Sequence, residues 1–151
     1  MAISAENVRA LRERTGVSVM ACKKALEEAG GDMDKATTLL AKQSALIVEK
    51  KQGRTLGAGT VAAYIHNNAQ VGSLVMLSCE TDFVSKNEAF TSLAYDIAMH
   101  VAAMRSASID VLMVEPYIKD TAQTVGERIA AAVQKFGERI EVSDFSVFSS
   151  R

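Results

Sequence analysis

At 151 residues with a formal net charge of −1, the chain has room for one or two small domains and lacks the clustered lysine and arginine excess of a broad nucleic-acid surface. Its make-up, 48% apolar and 23% charged, is ordinary for a soluble globular protein, and no stretch approaches the roughly 20 apolar residues of a membrane span. Cys22, Cys79, His66 and His100 fall in no metal-ligand spacing, and the first residues lack a secretory layout, so a cytoplasmic chain with reduced thiols and no metal or other cofactor is expected.

Ser4 is a suitable N-cap for a helix with Val8 and Leu11 on its inner face, and Gly16 ends it. Ser18 opens a second helix carrying Met20, Cys22, Ala25 and Leu26, stopped at Gly30-Gly31. Asp32 opens a third with Ala36, Leu39 and Leu40. Three short helices in about 45 residues make a module near the lower limit for folding without disulfides or metal. Its turn Gly16-Val17-Ser18-Val19-Met20 shows apolar side chains where a solvated loop would be polar. They either close the core or meet a partner. Ser44 to Gly59, with Lys50, Lys51 and Arg54 and then three glycines, reads as a short basic helical connector running into a flexible joint.

Thr60–His66 has Val61, Ala63 and Ile65 at a period of two, the pattern of a strand with those residues on its covered face. Asn67-Asn68-Ala69-Gln70 is a turn by composition, and Val71–Glu80 returns as the second arm of a hairpin. The near-continuous apolar character of this arm suggests a central strand, covered on both faces or at a partner. Phe90, Leu93, Ala94, Ile97, Ala98, Val101 and Met104 form a helical stripe over four turns, the strongest periodic signal present, with His100 on its flank. Ser106–Pro116 reads as irregular or strand-like. A helix follows from Asp120 or Thr124, with Val125, Ile129, Val133 and Phe136 inward and Gly137 at its left-handed end. Ile140–Phe148 supplies a last strand, most easily paired with the hairpin.

Between the central strand and the long helix lies Thr81-Asp82-Phe83-Val84. Ser85-Lys86-Asn87-Glu88 reads as a capping box starting the next helix, with Val84 and Ala89 as its hydrophobic staple. A turn pinned at both ends has two uses for its aromatic ring. Phe83 either tucks beneath the helix or is held outward with little entropy left to lose on binding.

No phosphate-binding glycine loop and no nucleophile–base arrangement occurs in the sequence. Glu80 and Asp82 are a pair of carboxylates, but nothing in the sequence surrounds them with a site for acid–base chemistry. A protein that acts by binding another protein fits better than an enzyme.

Several separated segments carry a resemblance. Leu11–Gly16, Met20–Leu26 and Gly31-Asp32 resemble the N-terminal module of the bacterial elongation factor Ts family. Cys79-Glu80-Thr81-Asp82-Phe83-Val84 resembles that family's hallmark segment, and Ile97–Ala102 and Phe136–Ile140 also match. The resemblance covers nearly the whole chain and is to the compact single-core type, shortened further between Arg105 and Pro116. It implies an α+β fold: a UBA-like three-helix domain over 1–45, a basic helical linker over 46–58, and a core over 59–151 with a three-stranded antiparallel sheet and packed helices. It also implies a homodimer, and guanine nucleotide exchange on elongation factor Tu without catalysis by a side chain. Thr81, Asp82, Phe83 and Val84 are the segment that would dislodge the partner's magnesium. Val19, Met20, Lys23, His100, Phe136 and Gly137 are implied as secondary contacts. Ser143-Asp144 stands where the family has Arg-Arg, and Ser146 near a dimer-bridging cysteine of some members. A protein-binding adaptor with a helical ubiquitin-associated-like module is the alternative.

Overall fold

The computed structural model describes residues 2–151, a mixed α and β chain in two compact units. One takes the chain up to Gly53 together with Glu127–Glu138; the other takes Arg54–Gly126 and Arg139–Arg151. No helix among the described residues is long and apolar enough to cross a membrane.

In the first unit α1 (Ala5–Thr15), α2 (Val19–Glu28) and α3 (Met33–Lys51) each begin at the expected cap. Ser4 accepts from the N–H of Asn7, Ser18 from that of Ala21, and Asp32 from those of Asp34 and Lys35. Each satisfies N–H groups that the first helical turn would otherwise leave unpaired. Gly16 ends α1 at φ +74°, a conformation that costs a residue without Cβ nothing. The absent side chain also leaves the seat occupied by the Arg128 guanidinium, which a Cβ at Gly16 would strike at 2.3 Å. Leu11, Val17, Cys22, Ala25, Leu26, Ala36, Leu40 and Ala131 form the core. Burial pushes the Cys22 thiol up, against the opposing pull of the Thr15 hydroxyl and Arg12. Cys22 and Cys79 are both buried thiols.

The third helix is not short. It runs 19 residues and absorbs most of the expected connector. Ala41–Lys51 contains no glycine or proline, so nothing interrupts propagation before Gly53. Ser44 donates to Gln134 at 2.5 Å, in the part of α7 (Val125–Phe136) that belongs to this unit, and Lys51 to the carbonyl of Gly137 just after it at 2.9 Å.

The second unit is built on β1 (Ala58–Ile65), β2 (Val71–Cys79) and β5 (Glu141–Ser149), an antiparallel sheet of order β1-β2-β5. The hairpin, the central position of β2 and the pairing of the last strand all agree with the sequence reading. The face does not. Thr60, Ala62 and Tyr64 point inward, while Val61, Ala63 and Ile65 are exposed. Helix α5 (Glu88–Met104) lies over β1 and β2, and Tyr64 on the inner face of β1 meets Tyr95 of α5 edge to face with ring centres 5.8 Å apart. Its stripe is buried as expected, except for Met104 at the last turn. The register shifts between Met76 and Leu77, leaving Ser143 as the extra residue of a bulge, where its hydroxyl meets that of Ser78 at 2.6 Å.

Ser106–Pro116 contains a helix rather than a strand. In α6 (Ile109–Val114) the Ser108 hydroxyl accepts from the N–H of Val111, and Leu112 is buried. Glu115 is extended, as the residue before proline prefers. β3 (Pro116–Tyr117) and β4 (Asp120–Thr124) then make a two-stranded ladder the sequence reading missed, so of the two helix starts it offered the one at Thr124 holds and the one at Asp120 does not: the last helix begins at Val125.

Candidate protein-docking site

Thr81–Val84 is not a bare turn. Asp82–Ser85 forms a one-turn helix, α4, with Thr81 as N-cap accepting from the N–H of Val84 at 3.5 Å. Ser85 is therefore not the cap of the long helix. It closes α4, and its hydroxyl donates to the Asp82 carbonyl at 3.1 Å. Asn87 caps α5 instead, accepting from the N–H of Ala89 at 2.9 Å. The competing cap wins because the chain spends Ser85 on finishing the preceding turn, which leaves Asn87 at the break between the two helices.

This corner is held from three sides. The Cys79 thiol donates to the Thr81 carbonyl at 3.3 Å, and Thr60 of β1 donates to the Ser85 carbonyl at 2.8 Å. Val84 is buried beneath it. Thr81 and Asp82 are exposed, and Phe83 is 86% exposed. Of the two uses the sequence left open, the outward one is the one observed. A large ring presented on a short, cross-braced helix resembles the rigid aromatic anchors that dominate binding energy at protein interfaces.

In the helical unit Met20 is 76% exposed, and Val19 and Lys23 are exposed as well. Val17, beside them in sequence, is buried, so one turn supplies both core and surface. Val19 and Lys23 share a shallow groove with Ile3, Val8, Arg9 and Arg12, an apolar floor with a cationic rim. Phe136 is half-buried, with the Lys135 ammonium 5.4 Å from its ring centre, and Gly137 is exposed at φ +70°.

His100 has no exposed surface. Its Nδ1 accepts from the N–H of Ile118 at 3.2 Å, and its Nε2 lies 3.4 Å from Glu115, which also accepts from the Ser106 hydroxyl. The ring thus ties α5 to the β3–β4 loop from within and is not a surface contact of this chain. Its place on the flank of the stripe was legible; the polar partners that sink it are 15 and 18 residues away.

The outer sheet face was anticipated only for β2, as an arm covered on both faces or at a partner; the share of β1 and β5 in it was not. Val61 faces Met76, Ala63 faces Leu74, and Gly72 lies between Ile65 and Phe148. Val61, Ile65, Leu74, Met76 and Phe148 are all exposed large side chains, so the row is contiguous and apolar. Contiguous apolar surface of this kind marks an interaction site more often than single exposed residues do. The signal was present as apolar residues at both phases of β1, which alternation alone cannot assign to inside or outside.

A family model described as Elongation factor TS matches residues 80–151, from the residue before the corner to the end of the chain. Elongation factor Ts of Leptospira biflexa serovar Patoc is 35% identical over 193 aligned positions, covering 98% of both chains. That alignment is longer than this chain, so the relative carries residues that this chain lacks. Elongation factor Ts of Thermotoga maritima is 41% identical over 152 positions, spanning 92% of this chain and 76% of the relative. For elongation factor Ts of Clostridium acetobutylicum the identity is 41% over 148 positions, with 98% of this chain matching 48% of the relative.

Proposed function

The chain belongs to the elongation factor Ts family, and from that premise we propose that it is a guanine nucleotide exchange factor acting on elongation factor Tu in the cytoplasm. The observation that carries the proposal is the exposure of Phe83 on a braced helix whose neighbours hold it outward. In this reading Phe83 wedges into the nucleotide-binding domain of the partner, with Thr81 and Val84 shaping the corner and Asp82 holding the inserted position by hydrogen bonding. The magnesium and nucleotide belong to the partner, and this chain binds neither. Val19, Met20 and Lys23 dock the helical module, and Phe136-Gly137 adds a further contact. The module over 1–45, the linker over 46–58 and the core over 59–151 are the domains this reading assigns.

Linkage supplies the rest. A factor that binds the distorted partner better than the nucleotide-loaded one must weaken nucleotide binding, and nucleotide must weaken the factor by the same ratio. GDP leaves, GTP enters in excess, and the factor is expelled. No covalent bond changes, so the protein works by contact and not as an enzyme. Mixing the chain with its host's elongation factor Tu tests this. A stable complex is expected without nucleotide, and added GDP is expected to dissolve it. Binding that ignores GDP would identify an adaptor instead.

The exposed outer face of the sheet supports a homodimer, in which two copies cover their apolar rows against each other. Sedimentation at micromolar concentration should give twice the chain mass. Replacing Leu74 and Met76 with lysine should return it to one, and a wild-type chain that sediments as a monomer removes this part of the proposal.

A further inference from the structure

The residue entering the corner, Glu80, has only 14% of its side chain exposed, and the Arg54 guanidinium sits 3.5 Å from its carboxylate. Arg54 is itself held. Arg139 donates from Nη1 to the Arg54 carbonyl at 2.6 Å, and from Nε and Nη2 to Glu141 at 3.0 and 2.7 Å. Charge-assisted bonds from a planar guanidinium fix direction as well as distance. Three residues on, Gly57 passes so near the Glu80 carbonyl that a Cβ there would lie 3.3 Å from it. The stretch that reads as a flexible joint is therefore strapped to the base of the corner. The strap continues through Glu141, which pairs with Ser78 across β2 and β5.

We propose that Arg54, anchored by Arg139, is a positioning residue for nucleotide exchange: its contact with Glu80 stiffens the entry to Thr81–Val84, so that force from an inserted Phe83 deforms the partner and not the corner. The inference rests on the exchange-factor reading. Arg54 keeps 56% of its side chain in solvent, and half-exposed ion pairs add little to global stability. A rigid corner, in contrast, loses less on insertion, because its conformational freedom is already spent.

The test measures release of fluorescent GDP from elongation factor Tu over a range of factor concentrations. For Arg54→Ala the maximal release rate at saturating factor should fall about three- to tenfold, with the half-saturating concentration within about twofold of wild type. Its melting temperature should stay within about 2 °C. Glu80→Gln should lower the maximal rate similarly, and the double variant should be no slower than either single one. Arg54→Lys, which keeps the charge, should recover part of the rate. An unchanged maximal rate for Arg54→Ala overturns the proposal. So do additive effects in the double variant, which would mean that Arg54 and Glu80 act separately. A wild-type chain that fails to accelerate release defeats the exchange-factor reading itself, a result distinct from an active wild type with an equally active Arg54→Ala.

Discussion

Phe83→Ala should remove at least about nine-tenths of the acceleration of GDP release from elongation factor Tu while leaving the melting temperature within about 2 °C of wild type. The two halves of this expectation have separate causes. With 86% of the residue in solvent, truncation uncovers almost no apolar surface and opens no cavity, so the folded state loses nothing that burial supplies. Alanine is also the better helix former at this position in α4. The loss falls on the complex. A buried aromatic anchor at an interface typically accounts for about 2–4 kcal/mol, and 1.4 kcal/mol is already tenfold. Circular dichroism against temperature and stopped-flow release of labelled GDP check both halves. Unchanged release would reject the wedge. A large drop in melting temperature would instead mean that the ring packs against its own chain.

Seven residues further on, Phe90→Ala should do the opposite. Phe90 stands in the first turn of α5 and has no solvent exposure. Removing a buried phenyl ring costs about 3–5 kcal/mol in lost transfer energy and cavity formation. Single domains are held by only about 5–15 kcal/mol, so this is roughly a fifth of the total at the least. A fall of at least about 10 °C in melting temperature is expected for a unit of this size. Urea unfolding should show a lower midpoint with an unchanged slope, the mark of lost stability without a changed unfolded state. Below the new transition the variant should still promote GDP release, because Phe83 and its braces remain. A melting temperature within a few degrees of wild type would contradict the burial of Phe90. The pair of variants separates two phenylalanines that composition treats alike: one spends its apolar surface on the fold, the other leaves it in solvent.

Much of this was readable from short stretches. Ser4, Ser18 and Asp32 start helices because their side chains reach N–H groups two or three residues ahead, an interaction complete within one turn. Gly16 and Gly137 end helices because a left-handed backbone suits a residue without Cβ. The α5 stripe announced its buried face by repetition over four turns. The segment Thr81–Val84 was identifiable too, from its place between an apolar strand and a capped helix and from its likeness to a family. Errors arose where two local outcomes were nearly equal. Ser85 and Asn87 can each cap a helix, and the choice depends on whether α4 forms ahead of them. Ile109, Val111 and Val114 favour a strand by composition, yet the Ser108 hydroxyl caps the segment as a helix by accepting from the N–H of Val111.

Other features rest on contacts between residues far apart in the chain. Apolar side chains occupy both phases of β1, so alternation cannot say which is inside; α5 decides by covering Thr60, Ala62 and Tyr64 and leaving Val61, Ala63 and Ile65 bare. His100 is sunk by Glu115 and Ile118, and the base of the Phe83 corner is strapped by Arg54 and Arg139, separated by 85 residues. Caps and periodicity are written in neighbours, because their hydrogen bonds and burial close within a turn or two. Exposure is not, because whether a side chain meets solvent depends on what the rest of the chain lays over it.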